Sequence, residues 1–184
     1  MIIYLEGPDG SGKSTLSDAI TDELITRDMT VIQTKDGKCD IDTHPKSEYR
    51  NTPQQLIEAF VDMAYKDAIF VLDRGPISDV IYRHFDDYKP VLNESQVADL
   101  LSLLKDKVKV IFCDNDVAEQ KMLERGDDNP IAIEKHKDIT NCYRNYMMTC
   151  IRHEVFDYTR TTAPIFADKI IDNLSEEDLI CADY

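Results

Sequence analysis

The sequence predicts an α/β fold, a parallel five-stranded sheet with helices on both faces. Three observations lead there. Short apolar runs recur along the 184 residues, segments with helical spacing separate them, and the runs are apolar at nearly every position. A strand with one wet face alternates apolar and polar side chains, whereas a strand covered on both faces does not.

Ile2-Ile3-Tyr4-Leu5-Glu6 is the first run and breaks at Gly7. Leu16, Ala19, Ile20 and Leu24 then recur at helical spacing, which predicts a helix from about Lys13 to Arg27. Val31 to Thr34 reads as the second strand. Residues 35–52 carry Gly37 and Pro45 and show no period, and a loop of that length implies a binding role. Pro53 suits the first turn of a helix to about Lys66. Ile69 to Asp73 is the third strand, ending in an acid, and a helix over about Ile77 to Phe85 follows. Asn93 and Gln96 fit a capping box for a helix carrying Val97, Leu100, Leu101 and Leu104. Val108 to Cys113 is the fourth strand, closed by Asp114. A long helix over Glu134 to Tyr158 would place Ile139, Cys142, Tyr143, Tyr146, Met147, Cys150 and Ile151 on one face. Ile170-Ile171-Asp172 is expected as the fifth strand, with Ser175 capping a final helix through Asp178. There is no internal repeat, low-complexity tract or Pro/Gly/Ser linker, so a single domain over residues 1–184 is expected.

Composition narrows the functional classes. No apolar run approaches the ~18–20 residues that span a bilayer. No basic stretch precedes the first apolar residues, so no signal peptide is expected and the expected location is cytoplasmic. Five cysteines without a C-x-x-C pair read as small core residues in a reducing compartment. The net charge of −15 argues against holding a long nucleic-acid backbone, which needs basic neutralisation of phosphates. It leaves room for a small anionic substrate in a local basic pocket.

Gly7-Pro8-Asp9-Gly10-Ser11-Gly12-Lys13-Ser14 fits G-x-x-x-x-G-K-[ST], between a predicted strand and a predicted helix. The backbone N–H groups of Gly10, Ser11, Gly12, Lys13, Ser14 and Thr15 are expected to cradle the phosphates of ATP at a helix N-terminus. Lys13 would set a charge on the transferring phosphate, and the Ser14 hydroxyl would be a ligand for Mg²⁺. These are the features of a P-loop NTPase. A guanine-specific Asn-Lys-x-Asp is missing, since Asn115-Asp116-Val117-Ala118 lacks the lysine. A small kinase is the strongest remaining class.

The third strand continues as Asp73-Arg74-Gly75-Pro76-Ile77-Ser78-Asp79-Val80-Ile81-Tyr82. An acid ending a buried strand beside the phosphate loop is placed to hold Mg²⁺ through water, and Arg74 can grip a phosphoryl group with its planar fork. The alternative is that Asp73 caps the next helix and Arg74 pairs with a surface acid.

Taken together, Glu6-Gly7-Pro8-Asp9-Gly10-Ser11-Gly12-Lys13-Ser14-Thr15 and the Asp73, Arg74, Ser78, Tyr82 signature resemble the thymidylate kinase family of deoxynucleoside monophosphate kinases. Thr34-Lys35-Asp36 stands where that family has Thr-Arg-Glu, and Ile171-Asp172 with Ser175-Glu176-Glu177 looks like its C-terminal strand and helix beside the adenine. The resemblance implies ATP-dependent phosphorylation of a dTMP-like acceptor. It also implies that Asp9 touches the deoxyribose 3′-hydroxyl, that Arg74 binds the acceptor phosphate, and that Tyr82 packs on the sugar. Lys35, Phe60 and Ser78 join them as substrate contacts. Asp79 falls at a base-contact position, where an ionised Asp only accepts hydrogen bonds. A lid over about residues 125–137 is expected, with Arg125 as the cation completing Lys13 and Arg74. A homodimer is the expected assembly. Two other readings stay open: a kinase of a nucleoside, nucleic-acid 5′-end or modified base, and a regulatory nucleotide-binding ATPase.

Overall fold

Four of the expected strands form where the apolar runs lie. The computed structural model describes residues 1–34, 52–85, 90–126, 134–150 and 152–174. In chain order the elements are β1 (Ile2–Glu6), α1 (Lys13–Thr26), β2 (Val31–Thr34), α2 (Pro53–Ala64), β3 (Ile69–Asp73) and α3 (Pro76–Tyr82). They continue as α4 (Glu94–Leu103), β4 (Val108–Cys113), α5 (Ala118–Arg125), α6 (His136–Cys150), β5 (Glu154–Phe156) and α7 (Ala163–Asp172). All strand pairs are parallel, in the order β2-β3-β1-β4-β5.

The period of two in β1 divides the core. Ile2 and Tyr4 face a cluster with Phe60 of α2, Ile77 and Ile81 of α3, Leu100 of α4, and Ile139, Tyr143 and Met147 of α6. Ile3 and Leu5 face the other cluster, with Leu16, Ile20 and Leu24 of α1 and Phe166, Ile170 and Ile171 of α7. Each strand of the centre is thus covered on both sides, as its continuous apolar sequence requires. The expected capping box closes at α4: Gln96 N–H donates to Asn93 Oδ1 and Asn93 N–H to Gln96 Oε1, both at 3.0 Å. Cys113 and Cys142 are free thiols, and Cys113 is wholly buried. No helix among the described residues is long and apolar enough to cross a membrane.

The C-terminal third departs from the expectation. The helix expected over Glu134 to Tyr158 is α6, and residues 154–156 form β5, hydrogen-bonded to β4. The strand expected at Ile170-Ile171-Asp172 is instead the last turn of α7. The physical reason lies in spacing: Ala163, Phe166, Ala167, Ile170 and Ile171 are buried at i, i+3, i+4, i+7 and i+8, with Pro164 in the first turn. The element beside the end of the sheet is therefore β5, and Ile171-Asp172 is not a strand. The loop over residues 35–51, the segment 127–133 of the expected lid and the helix expected from Ser175 lie outside the described residues.

Candidate active site

β3, β1 and β4 lie side by side; the chain passes from β1 to β2 at one edge, and from β3 across β1 to β4 on the other side. Such a switch point opens a crevice at the carboxyl ends of the strands. The phosphate loop fills that end. Gly7 and Gly10 both have positive φ, 147° and 76°. A Cβ on Gly7 would stand 2.3 Å from the Cys113 carbonyl oxygen, and one on Gly10 2.1 Å from that of Ala118. Only glycine lets the loop lie this close to the end of β4 and the start of α5. Asn115 Nδ2 donates to the Ser11 carbonyl at 3.2 Å and braces the same turn.

The cavity at this point is lined by Lys13, Ser14, Thr15, Asp73, Arg74 and Arg125, with Asp9, Gly10 and Gly12 on the loop side. Lys13 is buried, and its Nζ donates to the carbonyls of Gly7 at 2.9 Å and Pro8 at 2.7 Å. Burial, reinforced by the charge of Arg74, lowers the Lys13 ammonium to about 8. The Ser14 hydroxyl donates to Asp73 Oδ2 at 2.7 Å, while Asp73 Oδ1 is buried and accepts no hydrogen bond among the described residues. One hydroxyl and one carboxylate with an oxygen to spare suit Mg²⁺, which takes its remaining ligands from phosphates and water. The residues present therefore fit the ion.

Arg74 is the hub of the other half. Its backbone is left-handed, φ 72°, and its N–H donates to Leu5 O at 3.0 Å, extending the β1–β3 ladder by one step. A side chain in that conformation persists where its surroundings hold it. Here the guanidinium pairs with Asp9, lies 5.3 Å over the Tyr82 ring, and reaches Ser78 Oγ at 3.4 Å and Tyr143 Oη at 3.3 Å. Tyr82 Oη donates to Asp9 Oδ2 at 3.0 Å. Burial works against the Asp9 charge, but Arg74, Lys13 and the Tyr82 hydrogen bond together hold its carboxyl below the usual carboxylate range.

Behind Arg74 lies a polar cluster that the sequence motifs do not reveal. Glu6 is wholly buried and accepts from Tyr4 Oη, Gly75 N, Ser78 N and Ser78 Oγ. Burial pushes its carboxyl up, and the hydrogen bonds from Ser78 and Tyr4 oppose that rise. Ser78, expected as a substrate contact, is buried and bonded to Glu6 and Tyr143, so its hydroxyl belongs to this cluster. Phe60 is 4% exposed and meets Tyr4 edge-on in the core at 6.3 Å. The expectation of Phe60 as a base contact is corrected: i+4 spacing with Leu56 and Ala64 puts it on the buried face of α2. Asp79 is part-buried on α3, one turn before Tyr82, and burial pushes its carboxyl up. Lys35 lies outside the described residues. Three residues missed from sequence are Glu6, Tyr143 and His136. Glu6 had a signal, an acid closing an otherwise apolar strand. Tyr143 had none, because it sits in an apolar helical stripe.

No protein-family model matches the chain, and no curated protein matches it. Solved structures do. The YorR protein of Bacillus subtilis, in complex with phosphorylated GDP, superposes with a TM-score of 0.69 at 26% identity, covering 96% of this chain and 97% of that one. The chain adopts the P-loop NTPase fold. Shikimate kinase from Acinetobacter baumannii, in complex with shikimate, matches with a TM-score of 0.53 at 14% identity, covering 97% and 94%. Deoxyadenosine kinase from M. mycoides, with dCMP and a flexible dCDP, matches at 0.54 and 16%, covering 94% and 99%. At those identities the last two likenesses speak to the fold alone.

Proposed function

We propose that this chain is an ATP-dependent kinase that phosphorylates a deoxynucleoside monophosphate to the diphosphate. The observation that carries the reading is the Asp9–Arg74 pair, backed by Tyr82, on the wall of the cavity that also holds Lys13 and Ser14. A cation fixed on that side of a phosphate loop suits a second anionic group facing the first. The nucleotide in the YorR structure supports a small nucleotide as occupant.

Phosphoryl transfer needs in-line placement and neutralised charge. An acceptor phosphate oxygen forms the bond to the γ-phosphorus of ATP as the bond to the bridging oxygen of ADP breaks. Lys13 would leave the carbonyls of Gly7 and Pro8 for the phosphates, and Ser14 and Asp73 would hold Mg²⁺. When bound, that ion spreads the charge of the transferring group. Arg74 would clamp the acceptor phosphate with two parallel N–H donors, and Arg125 would add charge from the lid side. Asp9, freed from Arg74, would accept from the deoxyribose 3′-hydroxyl, while the Tyr82 ring would disfavour a 2′-hydroxyl. Asp79 would accept from the base, so the base preference departs from a thymine-only site.

A nucleoside kinase is the second reading, favoured by one feature: the Asp9 carboxylate lines the same cavity as Lys13 and Ser14 and could accept a hydrogen bond from a 5′-hydroxyl. A coupled ADP-release assay on nucleosides, deoxynucleoside and ribonucleoside monophosphates and oligonucleotides separates the two. Deoxynucleoside monophosphates are expected to give the highest kcat/KM, and Arg74→Lys is expected to lower that value strongly with ATP affinity nearly unchanged. Turnover of nucleosides alone, or equal use of deoxy and ribo acceptors, would overturn the reading.

A further inference from the structure

Three polar residues on one stripe of α6, His136, Thr140 and Tyr143, are buried, and the outer two reach the phosphate loop and the Arg74 cluster. His136 Nε2–H donates to the backbone carbonyl of Asp9 in the phosphate loop at 3.0 Å. Thr140 Oγ1 donates to the His136 carbonyl at 2.8 Å and lies 3.5 Å from Nδ1 of the ring. Two turns along from His136, Tyr143 stacks on Phe112 of β4 at 6.2 Å, so its hydroxyl has a fixed position.

The proton directions around that hydroxyl follow from the donors present. Glu6 is the terminal acceptor, and the Ser78 hydroxyl, 2.5 Å from Glu6 Oε2, gives its proton there. The Ser78 oxygen is then left to accept from Tyr143 at 2.7 Å, and the Tyr143 oxygen accepts from Arg74 Nη1 at 3.3 Å. Tyr143 Oη also stands 3.3 Å from Glu6 Oε2 and Arg74 Nη1 3.4 Å from Ser78 Oγ, so the donors run one way, from Arg74 through Tyr143 and Ser78 to the buried Glu6 carboxylate. This network orients the guanidinium whether or not Asp9 stays paired with it.

We propose that α6 is a strut setting the phosphate loop against the Arg74 segment, with His136 the positioning residue for the loop at Asp9, which faces both substrates, and Tyr143 for Arg74 on the acceptor side. This rests on the kinase reading for what Arg74 holds. Neither residue touches the reacting atoms; each acts through a group that does. The rival is that both are ordinary core packing, in which case Tyr143→Phe, which keeps the ring, should change little beyond stability.

The test compares Tyr143→Phe with His136→Ala and His136→Gln, measuring acceptor KM and kcat, ATP dissociation constant by calorimetry, and melting temperature. Tyr143→Phe is expected to raise the acceptor KM about tenfold, the scale of losing a hydrogen bond to a charged group, with ATP affinity unchanged within about twofold. His136→Ala, which frees the loop at Asp9, is expected to weaken both ATP binding and the acceptor KM, and His136→Gln, which keeps an N–H donor, to recover part of both losses. A loss of ATP affinity in Tyr143→Phe equal to its rise in acceptor KM, or a lower melting temperature alone in either variant, would overturn the strut. If no acceptor is turned over by the wild type, the functional reading fails by itself. The strut is then decided by nitrogen-15 NMR of the Arg74 guanidinium. Slow Nη rotation is expected in the wild type and its release in Tyr143→Phe; unchanged signals would overturn the proposal. Should His136→Ala not fold, the Tyr143→Phe data decide alone.

Discussion

Lys13 holds the most consequential single proton in the site. With its ammonium buried against loop carbonyls and facing Arg74, it loses its proton near pH 8. A bound polyphosphate would restore the charged form, so the empty site has the lower pKa and ATP binding takes up a proton above that value. ATP affinity is therefore expected to fall as pH rises through about 8. Calorimetry at about pH 7 and about pH 8.5, in buffers of different ionisation enthalpy, checks this; proton-neutral binding at the higher pH would refute it. This lysine was legible in the sequence because its motif is local, eight consecutive residues between a strand and a helix. The second ring around Arg74 was not. Glu6, Ser78 and Tyr143 meet only after β1, α3 and α6 have packed, and in sequence a tyrosine in an apolar stripe is indistinguishable from core.

At the scale of the element, the phosphate loop is a rigid connector because of what stands behind it. An added methyl on Gly10 would face backbone atoms of Ala118 and Met122, which have no side-chain torsion by which to withdraw. Left-handed strain and overpacking together should make Gly10→Ala cost on the order of 2–4 kcal/mol. Gly126, at the end of α5, supplies the control: its φ is 72°, yet none of the described residues stands within 4 Å of an added Cβ. Gly126→Ala should cost only about 1 kcal/mol, the conformational share. Urea unfolding of the two variants measures the difference, and ATP binding should be lost in Gly10→Ala. Strands covered on both faces were readable as continuous apolar runs. β5 was not, because three edge residues with Val155 exposed carry no such run, and the helical period of Ala163–Asp172 hid behind one Ile-Ile pair.

Over the whole molecule, 36 acids face 21 bases. Arg27 bridges Glu23, Asp168 and Asp172, and Arg144 bridges Asp114 and Asp116, but these pairs are at least partly exposed and each is worth little. Self-repulsion of a chain at −15 should outweigh them, so added salt, which screens both, should stabilise the fold. The melting temperature is expected to rise between about 10 mM and about 150 mM NaCl, where the screening length falls from roughly 30 to roughly 8 Å; a fall would mean the ion pairs dominate. The central position of β1 has a consequence of another kind. Its neighbours are β3 and β4, so during synthesis this strand waits for partners that end at Asp73 and Cys113. Such long-range closure predicts slow folding with a high contact order. Until residue 73 has emerged both edges of this apolar strand are open to neighbouring chains, and until residue 113 one still is, so β1 is where a nascent-chain chaperone would be needed.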